Sequence, residues 1–173
     1  AAKTDTPVYI RLAREKTPLM TTEETPFEIG KAELFWQSEK SGGESMPVKK
    51  PDVLIVATGA LVHRALVAAR DLEKDSISVN VLNLSTIKPL DEKTIVEQAR
   101  KTGAVVTVEE HQICGGMGSA VAECLAKNYP VPIEFIGVND LFGQSGKPEE
   151  LIEHYGLGVE AIKKAVKRVM QRK

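Results

Sequence analysis

The sequence predicts an α/β protein built as a three-layer α/β/α sandwich, and three observations carry that prediction. Apolar strand-like runs alternate with segments of 3.6-residue periodicity, the order that gives parallel strands joined by right-handed helical crossovers. The run Asp52-Val-Leu-Ile-Val-Ala-Thr58 is almost continuously apolar, as a strand covered on both faces has to be. Glycines close the strand or the helix in each unit, at Gly59, Gly103 and Gly115 to Gly118.

The elements follow in order. Gly30 to Gln37 alternates apolar and polar residues, which suits a strand at a sheet edge. Residues 38–51 are polar and rich in Gly, Ser and Pro, so they read as a mobile loop. That loop is too short for most helical crossovers, so the strand over 31–37 is expected antiparallel to the next one. After the strand at 52–58, Leu61, Ala65, Ala68 and Leu72 predict a helix over about 60–74 with Arg64, Arg70, Asp71 and Lys74 outside. Ser78 to Leu84 is the next strand. Asp91 caps the helix after it, with Leu90 and Ile95 at the spacing of a hydrophobic staple, and Gly103 stops that helix. A third unit runs from Ala104 to Val108, through Glu109-Glu-His111 and the turn at 115–118, into a helix with Met117, Val121 and Cys124 on one face. Ile133 to Ile136 is the last strand. Lys147-Pro-Glu-Glu150 opens a helix that Gly156 ends, and Ile162, Val166 and Val169 stripe a final helix. The cations opposite that stripe, Lys163, Lys164, Lys167 and Arg168, read as a solvated face rather than an anion-binding patch. Pro7 to Leu12 is strand-like, and residues 17–26 are extended without periodicity. Residues 1–28 therefore read as the last strand of a preceding domain plus a linker, and residues 29–173 as the α/β/α domain.

Charge and composition exclude several functions. The 173 residues carry 23 basic and 24 acidic side chains, a formal charge of −1, so no broad positive field invites nucleic acid or anionic lipid. The longest apolar stretch, Val53 to Val62, is far shorter than the about 18 to 20 residues that span a bilayer. A cytoplasmic protein is expected. Cys114 and Cys124 lie ten apart, too few for a disulfide framework and wrongly spaced for a CxxC pair, which suggests two buried small hydrophobes.

A doubly wound sheet binds ligands beyond the carboxyl ends of two strands whose helices leave to opposite faces. Here that crevice is expected between Gly59 and the segment holding His111, Gly116 and Gly118. The glycines do not complete GxGxxG, no GxxxxGK[ST] occurs, and Glu109 and Glu110 would repel a phosphate. Glycines that permit a tight turn and close helix packing are the favoured reading there. His111 and Cys114 have no clustered ligands that would make a zinc site, and Ser119 is not in GxSxG. No catalytic residue is assigned. Arg14, just beyond the strand-like run, has two readings on position alone, a surface ion pair with a nearby Glu, which is favoured, and a bidentate grip on a phosphate.

The strings Thr107-Val-Glu-Glu-His-Gln-Ile-Cys-Gly-Gly-Met-Gly-Ser-Ala-Val121, Asn83-Leu-Ser-Thr-Ile-Lys-Pro-Leu-Asp91 and Gly143-Gln-Ser-Gly-Lys-Pro-Glu-Glu-Leu151 closely resemble the C-terminal domain of transketolase. Phe27 to Ala32 and Val53 to Gly59 fit the same pattern, so the resemblance spans nearly the whole chain. It implies a five-stranded mixed sheet with the first strand antiparallel and four parallel. In that family an Ile-Arg-x-Ser-Arg motif ends the pyrimidine-binding domain, and its final Arg contacts the sugar phosphate. Ile10-Arg-Leu-Ala-Arg14 occupies that place, with Ala13 where Ser is usual, so the resemblance implies Arg14 as the substrate-phosphate contact.

The family works on thiamine diphosphate and Mg, held by a GDG motif and an activating glutamate in upstream domains; this chain contains no GDG. The resemblance thus implies a C-terminal portion of a transketolase, transferring two-carbon ketol units between sugar phosphates of the pentose phosphate pathway. It would support a homodimer of the complete enzyme, partner the upstream domains or subunit, bind no cofactor itself and be inactive alone. Three other readings remain open. Two are related proteins, the C-terminal part of a 2-oxoacid dehydrogenase β subunit and that of a deoxyxylulose-phosphate synthase. The third is a stand-alone regulatory module binding a metabolite in the Gly59 to Gly118 crevice. The strings at 86–91 and 145–148 favour transketolase over the dehydrogenase.

Overall fold

The computed structural model describes residues 4–13, 15–38 and 50–173. The order is β1 (Glu33–Gln37), β2 (Val53–Ala57), α1 (Leu61–Lys74), β3 (Val79–Asn83), α2 (Glu92–Thr102), β4 (Val105–Gln112), α3 (Met117–Asn128), β5 (Ile133–Val138), α4 (Pro148–His154) and α5 (Val159–Met170). They form one five-stranded mixed sheet in the order β1-β3-β2-β4-β5. The four later strands are parallel and β1 is antiparallel, as the resemblance implied. The antiparallel partner of β1 is β3, however, not the next strand in sequence. Strand β2 has both of its edges taken by β3 and β4, and β1 pairs at the outer edge of β3.

Every residue of β2 is buried, and its alternation divides the core. Val53, Ile55 and Ala57 face one layer with Leu61, Ala65 and Ala68 of α1 and Ile162, Val166 and Val169 of α5. Leu54 and Val56 face the other, with Ile95 and Ala99 of α2 and Val121 and Leu125 of α3. The continuous apolar run in the sequence is thus the consequence of having a helix layer on each side.

Local signals end the elements where expected. Gly103 closes α2 in the left-handed conformation, φ 71°. Asp91 caps the same helix and also fastens it to β1. One of its oxygens accepts from the Thr94 amide at 3.1 Å, and the other accepts from the Ala32 amide at 3.0 Å, just before β1. The polar face of α5 is committed to ion pairs. Lys163 meets Glu160 and Lys167 meets Asp75, both at 2.8 Å, while Arg168 and Arg172 enclose Glu134 of β5 at 3.0 and 2.7 Å. Three of the four cations expected on that face, Lys163, Lys167 and Arg168, are thus held in ion pairs.

Residues 7–12 pair with no strand of this sheet, and Tyr9, Ile10 and Leu12 are exposed; a strand of a preceding domain would take its ladder from that domain. One expectation is corrected. Cys124 is buried as expected, but Cys114 is exposed, because it sits in the turn ahead of α3 rather than on the helix face. The expected loop at 38–51 falls largely on residues 39–49, outside the described residues.

Burial pushes the Asp91 carboxyl up, but the hydrogen bonds from Ala32 and Thr94 outweigh it and hold the group below the ordinary aspartate value. A lowered folded-state value stabilises above the unfolded value, and that stability is lost as pH falls toward the folded value. Asp91→Ala should cost about 1 to 2 kcal/mol at pH 7. In urea titrations the gap to wild type should narrow on acidification below about pH 4.

Candidate functional site: the crevice at the carboxyl end of the sheet

Strand β2 feeds α1 on one face, and β4 feeds α3 on the other, so the chain parts between them at a topological switch point. An open crevice of about 490 Å³ lies there, walled by Thr58, Gly59 and Ala60 on one side and Glu110, His111 and Gly116 on the other, with Ile87 and Lys88 at its edge. Of the four residues that the sequence placed in this crevice, Gly59, His111 and Gly116 line it, and Gly118 lies buried behind the wall.

Each wall follows from local sequence. The Thr58 hydroxyl donates to the Leu84 carbonyl at 2.9 Å, tying the end of β2 to the exit of β3. Gly59 has φ 63°, a turn that residues with a Cβ adopt only under strain, and α1 starts two residues later. On the other wall β4 loses register with β5. Val108 pairs with Ile136 and Gln112 with Val138, so β4 spends four residues where β5 spends two. Glu109 follows the strand's alternation onto the same face as Thr107, toward α3, while within the bulge Glu110 and His111 face solvent. His111 Nδ1 lies 3.0 Å from the Gln112 carbonyl, a hydrogen bond that needs the proton on Nδ1.

Glu109 decides what the crevice can hold. It is only 2% exposed, and its two oxygens accept from the amides of Met117 at 2.7 Å and Gly118 at 2.8 Å, the first turn of α3. Those amides, with the positive end of the helix dipole, are what a phosphate would otherwise use. The protein's own carboxylate has taken the position. Close approach also explains the glycines. A Cβ on Gly116 would come within 2.4 Å of a Glu109 oxygen, and one on Gly118 within 2.6 Å of the Thr107 hydroxyl. The glycines therefore serve helix packing, and the helix packs on a carboxylate.

Thiamine diphosphate does not fit this crevice. Its diphosphate would face Glu109 and Glu110 with the α3 amides already engaged, and the described residues contain no group of three or more His, Cys, Asp or Glu suited to a metal ion. Arg14 lies outside the described residues. Its neighbours Arg11 to Ala13 and Glu15 to Pro18 border a second hollow of about 920 Å³, against the starts of α1 and α4. The role of Glu109 was missed by sequence reasoning, although a carboxylate ending an apolar run, followed by glycines in the next helix's first turn, was a signal for it.

The family model described as the transketolase C-terminal domain matches residues 44–162. The chain belongs to the transketolase C-terminal domain family. It is 44% identical over 169 residues to a 6-deoxy-6-sulfo-D-fructose transketolase subunit of Clostridium sp. strain MSTE9, covering 98% of this chain and 49% of that protein. It is 40% identical over 169 residues to a putative transketolase C-terminal section of Methanocaldococcus jannaschii, covering 96% and 49%. Mouse transketolase is 36% identical over 168 residues, covering 96% of this chain and 25% of that one. A solved structure titled a split gene transketolase, inactive beta4 tetramer, superimposes with TM-score 0.81 and 40% identity over 91% of this chain and 48% of that one. The chain thus spans about half the length of the first relatives it matches.

Removing the Glu109 carboxylate from this transketolase domain strands two buried amides. Glu109→Ala should destabilise it by about 2 to 3 kcal/mol in chemical denaturation, with Glu109→Gln milder because its amide oxygen still serves one of them. Gly118→Ala should cost about 1 to 3 kcal/mol through overpacking, whereas a change confined to exposed Glu110 should be nearly neutral.

Proposed function

We propose that this chain is the C-terminal portion of a transketolase, a domain that completes and supports an enzyme moving two-carbon ketol units between sugar phosphates in the pentose phosphate pathway. The observation that carries the reading is the match of nearly the whole chain to one half of transketolase subunits and sections. In this reading thiamine diphosphate and Mg, which supply the carbanion chemistry, are held entirely by the upstream domains of the enzyme, and the present chain binds neither. The self-capped end of α3 supports that division, because the amides that this helix terminus would offer a diphosphate are engaged by Glu109.

Residues 1–28 are then the end of the pyrimidine-binding domain and its linker, and residues 29–173 the domain proper. Family resemblance supports Arg14 as the contact to the sugar phosphate, a role for which the bidentate guanidinium is suited. The complete enzyme is proposed to work as a homodimer in the cytoplasm, where the exposed Cys114 thiol stays reduced.

The isolated chain supplied with thiamine diphosphate, Mg and a ketose phosphate donor should show no turnover, and activity should appear when the thiamine-binding domains are added. Turnover by the chain alone would refute the reading. In the assembled enzyme, Arg14→Ala should raise KM for phosphorylated substrates by about tenfold to a hundredfold, in line with the loss of one charge-assisted contact. The KM of an unphosphorylated acceptor should hardly change.

A further inference from the structure

The loop between β5 and α4 displays two large apolar side chains to solvent. Phe142 is 100% exposed and Leu141 55%. A slack loop would let such side chains fold back on nearby apolar surface. Here the backbone on both sides of them is fastened to rigid elements. Gln112, at the end of β4, accepts from the Asp140 amide at 2.9 Å and donates to the Leu141 carbonyl at 3.5 Å. Tyr155, which caps α4 and packs on the core, donates its hydroxyl to the Phe142 carbonyl at 2.7 Å. Asp140 takes φ 52°, a left-handed turn that directs the next two residues outward. The result is a preorganised apolar projection, whose ordering cost is met before any contact forms.

Its location indicates what covers it. The loop leads into Pro148 and Glu149 at the start of α4, and those residues border the hollow whose other side is the segment from Arg11 to Pro18. The domain is C-terminal in its family, and mouse transketolase is about four times the length matched here, so in such relatives the remainder of the enzyme precedes this domain and reaches it through that segment. The segment itself carries Tyr9, 88% exposed, with Leu12 and Leu19 also in solvent. Entry point and projection therefore share one end of the sheet.

We propose that Leu141 and Phe142 are the anchor by which this domain docks in an apolar recess on the thiamine-diphosphate-binding domains of the enzyme. This inference rests on the transketolase reading above. The test combines the chain, wild type or Leu141→Ser/Phe142→Ser, with the separately produced polypeptide from the same source that carries the GDG motif, and reads both association and ketol transfer. The double variant should melt within a degree or two of wild type, since both side chains are solvent-exposed. It should require about tenfold or more of the partner polypeptide for half-maximal activity, with turnover at saturation retained. Association and activity equal to wild type within a factor of about two would overturn the anchor while leaving the transketolase reading intact. Failure of the wild-type chain to associate at all would overturn both. A third result would also overturn the anchor: a wild-type chain that self-associates through these residues, with the variant becoming monomeric yet binding the partner normally, would assign the projection to a second copy.

Discussion

Glu109 sits at the end of β4 with its charge met by the Met117 and Gly118 amides, and the geometry of the sheet's carboxyl end follows from that contact. An ionised carboxylate can be buried only where donors replace its water, and a helix N-terminus offers both free amides and a favourable dipole. Bringing the helix that close requires Gly116 and Gly118, the alternation of β4 sets the carboxylate on the same face as Thr107, and a bulge follows in β4. The bulge in turn throws Glu110 and His111 outward and sets Gln112 where its side chain can hold Asp140 and Leu141. One buried contact thereby links the crevice wall, the start of α3 and the loop after β5.

The same contact separates architecture from function. A doubly wound sheet ordinarily offers its switch point to a ligand, and this one has the crevice, the glycines and the helix terminus in place. What differs is that the anion is already present as a side chain. A fold-level analogy would assign a nucleotide or phosphate site here, and residue-level chemistry withdraws it. The amides at the start of α3 are thus spent on the domain's own stability.

Much of this was legible in the sequence where one residue type answers one physical need. The doubly covered strand at 53–57, the Asp91 cap, the Gly103 stop and the crevice between Gly59 and His111 were all readable, because burial, capping and positive φ select residues locally. What was not legible depends on partners distant in the chain. Tyr9 to Leu12 has strand-forming side chains but no ladder, and the partner of β1 depends on which edges β2 leaves free. Cys114 looked like a buried hydrophobe because composition favours that, whereas turn geometry three residues before α3 exposes it. Glu109 was read as a charge that would repel phosphate. The structure gives that charge a further part, since the same negative charge that excludes the ligand also caps the helix.

The completeness of the core bears on how such enzymes are organised. Both faces of the sheet are closed by helices from within this chain, with α1 and α5 on one side and α2 and α3 on the other, and the clusters they bury run from Val53 to Val169. Among the described residues, neither helix layer is left for an upstream segment to cover, so the packing of this core is closed within the chain. That is the physical condition under which a family can include both subunit-length relatives of about twice this chain and mouse transketolase, about four times the matched length, without redesign of this unit.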